Sequence, residues 1–137
     1  MKWNPYLTFD GQCEAAFKFY EKCLGGKIVA MIRWGDTPAA EVVPADHRSK
    51  IIHAHLVANG QVLMGSDPPP DRPYEGIKGC SISLQVDSIA EAERLFNALV
   101  QNATVLMPLQ ETFWAARFGM LVDQFGVPWM INCERAA

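Results

Sequence analysis

Two histidines separated by one residue, His53-Ala-His55, are the side chains whose type and spacing most directly suggest chemistry. In an extended strand residues two apart face the same way, so the imidazoles stand side by side. Such a pair can hold a divalent ion, act as a general base near neutral pH or donate hydrogen bonds to an anionic ligand. It can equally be a pair of partly buried, hydrogen-bonded structural residues. Trp114, Arg117 and Trp129 form a second group. An aromatic wall with one guanidinium suits a planar or carboxylate-bearing ligand. The structural alternative is that Trp114 covers a core edge while Arg117 pairs with a carboxylate such as Glu111. Cys13, Cys23, Cys80 and Cys133 lack C-x-x-C spacing and read as reduced thiols behaving as small hydrophobes.

Two hairpins must position these groups. Residues 52–58, then Asn59-Gly60, then residues 61–66 give the strongest hairpin signal, because Asn-Gly accepts the two positive φ values of a type I′ turn. That turn sets Val57 opposite Val62, Leu56 opposite Leu63 and His55 opposite Met64, with His53 opposite Ser66. Both histidines then share a face with Met64. The second hairpin runs over residues 118–132 and bends at Asp123-Gln-Phe-Gly126.

The hairpins close two similar halves. Leu7-Thr-Phe-Asp10 with Glu14-Ala-Ala-Phe-Lys-Phe19 matches Leu84-Gln-Val-Asp87 with Glu91-Ala-Glu-Arg-Leu-Phe96 at one constant offset. The turn glycines, Gly60 and Gly126, lie closer together than that offset, so the first half carries extra residues, placed between Gly35 and Ser49. Each half reads strand, helix, strand, hairpin. In the first half a strand is expected at residues 5–9. Asp10 offers its carboxylate to a helix over Cys13–Leu24 that Gly25-Gly26 ends, and a strand follows at Lys27–Arg33. Residues 34–50 read as a long loop of the kind that often serves as a lid. Asp67-Pro-Pro-Pro-Asp-Arg-Pro73 is an extended joint between the halves. In the second half strands are expected at residues 81–86 and 104–107, with a loop at 108–116. Between the strands Ser88-Ile-Ala-Glu91 opens a helix to about Asn102 that buries Ala92, Leu95, Phe96 and Leu99.

Composition excludes several classes. With 137 residues, half of them hydrophobic, the chain has enough apolar material for one core, and its net charge of −3 with scattered basic residues offers nothing for a phosphate backbone. Nucleic acid is not an expected partner. No apolar run approaches the roughly 18 residues of a membrane span, and Met1-Lys-Trp-Asn-Pro5 lacks the apolar stretch of a secretion signal, so no membrane partner is expected and the expected location is cytoplasmic.

The doubled βαβββ plan, with Phe19-Tyr-Glu-Lys-Cys-Leu-Gly25 in the first helix, resembles the vicinal oxygen chelate superfamily of glyoxalase I, fosfomycin-resistance proteins and extradiol dioxygenases. Pro5-Tyr-Leu-Thr-Phe-Asp-Gly11, Gln110-Glu-Thr-Phe-Trp114 and Phe125-Gly-Val-Pro-Trp-Met-Ile-Asn132 resemble its PhnB-like branch, also labelled 3-demethylubiquinone methyltransferase-like. The resemblance implies an α+β fold of two βαβββ modules whose mixed, strongly curved sheets form a cupped half-barrel, completed in a homodimer. It implies a single domain over residues 1–137, with modules at about 3–67 and 80–133 and a crossover at 68–79. The loops at 34–49 and 108–116 would then close a shared pocket.

Enzymes of the superfamily hold a divalent metal on the cup with four inward residues, usually His and Glu. The matching positions here are Pro5 or Tyr6, Met64, Ser81 and Met130, which are poor ligands. No metal and no other cofactor is therefore expected, and the cup reads as a receptacle for a small aromatic or anionic molecule. Its expected binding residues are Val62, Met64 and Ser66 from the first module, and Ser81, Ser83, Met130 and Asn132 from the second. Trp114, Arg117 and Trp129 would form the wall. The alternative is a lyase or isomerase using His53 or His55 as base or as displaced metal ligands. A methyltransferase is not expected, since no glycine-rich strand-to-helix turn with a following ribose-binding acid is present.

Overall fold

The computed structural model describes residues 1–135, which fall into two compact units, Met1–Gly76 and the chain from Ile77 onward. In the first unit β1 (Tyr6–Thr8), α1 (Cys13–Leu24), β2 (Lys27–Arg33), β3 (Ile51–Ala58) and β4 (Gln61–Ser66) follow in chain order. The sheet order is β1-β4-β3-β2, with β1 parallel to β4 and the other pairs antiparallel. Asn59 and Gly60 take φ values of 50° and 72°, and the hairpin register is the expected one, with His55 opposite Met64.

The period of two in the strands and of 3.6 in the helix decides which surfaces meet. Leu7, Ala54, Leu56 and Leu63 are buried on one face of the sheet, and α1 buries Cys13, Ala16, Phe17, Tyr20 and Cys23. Helix and sheet approach closely at Gly65. A Cβ there would stand 2.8 Å from the Phe17 ring and 2.9 Å from the Leu7 carbonyl oxygen.

The start of α1 differs from expectation. Gln12 occupies the N-cap without a side-chain hydrogen bond, and the carboxylate that serves the helix is Asp67, from beyond β4, not Asp10. Cys13 N–H donates to Asp67 Oδ1 at 3.0 Å and Ile51 N–H donates to Oδ2 at 2.9 Å. Burial chiefly, with Asp67 and Glu14 beside it, pushes the Cys13 thiol far above its ordinary range, so it is an inert packing group. Gly25, at φ 68°, ends the helix as expected.

Residues 34–50 are not an unattached lid. They form three short 3-10 turns whose base is tied by Trp34 N–H to Lys50 O and Gly35 N–H to Arg48 O, both 2.9 Å, and Val43 is buried. The Trp34 indole adds a bond of 3.0 Å to Asp67 O.

The second unit repeats the plan. It comprises β5 (Ile82–Val86), α2 (Ile89–Leu99), β6 (Thr104–Gln110), β7 (Ala115–Val122) and β8 (Pro128–Glu134), in sheet order β5-β8-β7-β6. Ser88 caps α2 by accepting from Glu91 N–H at 3.1 Å, and Ala92, Leu95, Phe96 and Leu99 are buried. Glu91 does not reach back to complete the capping box. It pairs with Arg94, whose hydrogen bonds hold its carboxyl below the usual range.

Two boundaries shift. α2 stops at Leu99, short of Asn102. Residues 108–116 are mostly strand: β6 continues through Pro108 to Gln110, and β7 starts at Ala115. A proline fits there because β6 is an edge strand whose register slips between Met107 and Gln110. No disulfide joins the cysteines among the described residues, and Cys80 is exposed instead of packing as a small hydrophobe.

Because the atoms facing Gly65 include a backbone oxygen that cannot step aside, Gly65→Ala is expected to destabilise the protein by about 1–3 kcal/mol through overpacking. Chemical denaturation should show this, and an unchanged midpoint would refute the close-packing account. Glu14 gives a pH signature. Its two hydrogen bonds from Arg33, at 3.0 and 2.8 Å, with Lys18 adding to them, hold its carboxyl down to about 2 from an ordinary value of 4.5. A carboxylate so depressed stabilises the fold fully above its unfolded value and loses that contribution as pH falls through its folded one. The pair is part-exposed, so Glu14→Gln should cost under about 1 kcal/mol at pH 7. The gap between variant and parent should close between pH 4.5 and 2; a constant gap down to pH 2 would reject the pairing.

Candidate functional site

Burying one face of each sheet leaves the other open. On the first sheet one row across the strands is Tyr6, Met64, His55 and Ala30. Thr8 and Ser66 pair in the next row, and Ile32 is paired with His53. The expected set Val62, Met64 and Ser66 thus lies on one face with both histidines.

The sequence reading did not foresee what holds the imidazoles. The Tyr6 hydroxyl lies 3.1 Å from Nδ1 of His53, and the two rings stack with centroids 5.8 Å apart at 28°. His55 stands edge-on to His53, at 6.2 Å and 85°. Tyr6 is about half exposed, so the stacked pair presents a planar surface. A parallel pairing between β1 and β4 brings Tyr6 there, and no local pattern announces such a pairing.

On the second sheet one row reads Ser83, Met130, Met120 and Met107, and the next reads Gln85, Asn132, Phe118 and Gln110. Asn132 Nδ2 donates to Gln85 Oε1 at 2.8 Å, and Gln85 Nε2 reaches Ser83 Oγ at 3.4 Å. Asn132 Oδ1 is enclosed without a hydrogen-bond partner. Trp114, about half exposed, stands edge-on to Phe118 at 5.4 Å. Ser83, Met130, Asn132 and Trp114 therefore gather at this face. Met120, Phe118 and Gln85 join them unannounced, although counting alternate residues outward from Met130 would have found the first two.

Three expected residues lie elsewhere. Trp129 is 1% exposed, in register with Leu121 and Ile82, and its indole N–H donates to Asp123 Oδ2 at 2.9 Å. It alternates with Met130 along β8 and so belongs to the packed face. Arg117 is in register with Cys133, on the side away from Met130, and its guanidinium donates to Ala116 O at 2.6 Å. Glu111 pairs with Arg135 at 3.7 Å and not with Arg117. Ser81 is exposed and precedes β5, which begins at Ile82, not at Ser81.

The donor set can now be tested against a divalent ion. At the positions expected from the resemblance to match metal ligands, the first unit offers the Tyr6 phenol and the Met64 thioether, and the second offers Ser81 and the Met130 thioether. These do not fit a hard or borderline cation. Among the described residues no three of His, Cys, Asp and Glu are grouped to hold one. No helix among them is long and apolar enough to cross a membrane.

Comparison with known proteins agrees with this geometry. Protein PA1353 from Pseudomonas aeruginosa, a solved structure, is 57% identical and superposes with a TM-score of 0.91 over 99% of each chain. Protein YjdN of Escherichia coli is 36% identical over 96% of this chain and 95% of its own. A Bacillus cereus structure described as a putative 3-demethylubiquinone-9 3-methyltransferase, PhnB protein, is 26% identical with a TM-score of 0.82, covering 97% of this chain and 99% of its own. Residues 2–131 match the Glyoxalase/Bleomycin resistance protein/Dioxygenase superfamily as a whole, and with two mixed four-stranded sheets of the same strand order this chain belongs to that superfamily and has its glyoxalase-like fold.

Proposed function

We propose that the protein binds a small planar molecule bearing an anionic or polar edge on the open face of its first sheet, without the divalent ion typical of the superfamily. The observation that carries this reading is the Tyr6–His53–His55 cluster. A stacked phenol and imidazole give an aromatic ligand a surface, and the perpendicular His55 supplies a nitrogen for its polar edge. Met64 beside them is a flexible, polarizable contact that adapts to ligand shape. The methyltransferase wording of the Bacillus cereus neighbour does not carry over. The β1–α1 connection, Phe9-Asp-Gly-Gln12, has one glycine and the β5–α2 connection, Asp87-Ser88, has none, so neither forms a cofactor cradle.

The histidine adjacency favours one second reading, a lyase or isomerase that uses His55 as base or both histidines as metal ligands. One experiment separates the two. Benzoate and naphthoate, with their uncharged amides as controls, are titrated against purified protein by thermal shift, alongside elemental analysis and calorimetric titration with zinc, nickel and manganese. The carboxylates are expected to raise the melting temperature, and His55→Ala to weaken them about tenfold or more, the loss expected for a hydrogen bond to a charged group. Stoichiometric metal binding abolished by His55→Ala, or no response to any aromatic carboxylate, would overturn the metal-free receptor.

We further propose that the protein acts as a homodimer in the cytoplasm, where its four thiols stay reduced. Edge strands β2 and β6 expose Val29, Ile32, Val105 and Leu106, apolar side chains that a second copy would cover. Light scattering coupled to size exclusion should report twice the chain mass of 15.2 kDa. A monomer at micromolar concentration would overturn it.

A further inference from the structure

A cleft of about 250 Å³ lies in the first unit, where the β1–α1 turn, the end of the 34–50 loop and the proline-rich segment after β4 come together. None of the open-face residues discussed above lines it. Its polar side chains include Asp10, His47, Lys50 and Arg72, and the proline run Pro68-Pro-Pro70 with Pro73 makes a stiff wall lacking N–H donors. Two observations point to a ligand. Lys50 and Arg72 bring two fixed positive charges against the single carboxylate of Asp10, and neither forms an ion pair among the described residues. Lys50 Nζ has only a long 3.4 Å contact with Gly11 O, and the one bond of Arg72 is made by its backbone, to Pro69 O at 3.0 Å. His47 also lines the cleft, its ring 5.5 Å from that of Trp34. Two cations left without an ion pair at the edge of one cleft mark a place for an anionic group.

We propose that this cleft is a second site, separate from the open sheet face, and that it takes a small oxyanion, a phosphate or carboxylate group. Size and chemistry agree. Pockets for whole drug-sized ligands run from about 300 to 1,000 Å³, and this one falls below that range. Guanidinium and ammonium groups recognise oxyanions through charge-assisted hydrogen bonds, and a site lined by prolines must draw its donors from side chains. Asp10 opposes the anion, which keeps affinity modest.

The test is calorimetric titration of the full chain in low-salt, phosphate-free buffer, with inorganic phosphate and with acetate in separate arms. Saturable binding of at least one of them, one per chain, is expected. Lys50→Met and Arg72→Gln should each weaken it about tenfold, the usual loss for a charge-assisted hydrogen bond. Asp10→Asn should tighten it. His55→Ala should leave it unchanged, which separates this site from the sheet face, and an unchanged melting temperature in each variant confirms folding. If neither anion saturates, if the charge variants bind like the parent, or if His55→Ala removes binding, the proposal fails.

Discussion

One buried carboxylate organises the first unit. Asp67 is 1% exposed, yet each of its oxygens accepts a backbone N–H: one from Cys13 at the start of α1, one from Ile51 at the start of β3. Its own backbone completes the knot, with its N–H on Ile51 O at 2.7 Å and its carbonyl taking the Trp34 indole at 3.0 Å. A bare carboxylate would be very costly to bury. This one has its lone pairs met by amides, and its negative charge faces the positive end of a helix dipole. The result is that the end of β4, the beginning of β3, the mouth of the 34–50 loop and the N-terminus of α1 are fixed relative to one another by one side chain. Removing it would orphan two buried N–H groups at once, which is why no neighbour such as the exposed Asp10 can stand in for it.

The second unit solves a related problem with Asp123, also buried. Its Oδ1 accepts from Phe125 N–H at 2.8 Å and Val127 N–H at 3.0 Å, closing the β7–β8 bend, while Oδ2 takes the Trp129 indole. Here the carboxylate stabilises a turn and commits a tryptophan to the core, whereas Asp67 joins elements far apart in the chain. Both act on the packed faces of their sheets. The open faces are thereby free to carry residues chosen for something other than stability, and they carry histidines, thioethers, a tyrosine and amides.

How much of this is legible in the sequence depends on the range of the interaction. The bounds of α1 and the register of the first hairpin come from patterns contained within a few residues: an apolar stripe ended by glycines, and Asn-Gly between two apolar strands. The superfamily and the doubled plan are legible for the same reason, since each module repeats those local signals. Contacts that cross the chain are not. Asp67 reaches Cys13 across 54 positions and Tyr6 meets His53 across 47, and both follow from strand order, which periodicity does not encode. Trp129 is a different failure. Its neighbour Met130 lies on the open face, and adjacent strand residues point oppositely, so the two cannot both line one wall. The loop expected from residue 108 is strand as far as Gln110, because at a sheet edge with slipped register Pro108 costs no ladder bond that matters.

The open face of the first sheet carries a phenol and a thioether in one row, and that of the second carries three thioethers in one row. Around them the Tyr6 hydroxyl is engaged with His53 and the Asn132 amide N–H with Gln85. A metal centre requires convergence of free lone pairs on one point, whereas recognition of an organic ligand needs flat or adaptable surfaces with a few anchored polar atoms. Stacked rings, thioethers and amides held by hydrogen bonds are side chains of the second kind and not the first. The chemistry of an open sheet face can therefore change by replacing side chains at alternate strand positions, leaving the packed faces and their buried carboxylates untouched.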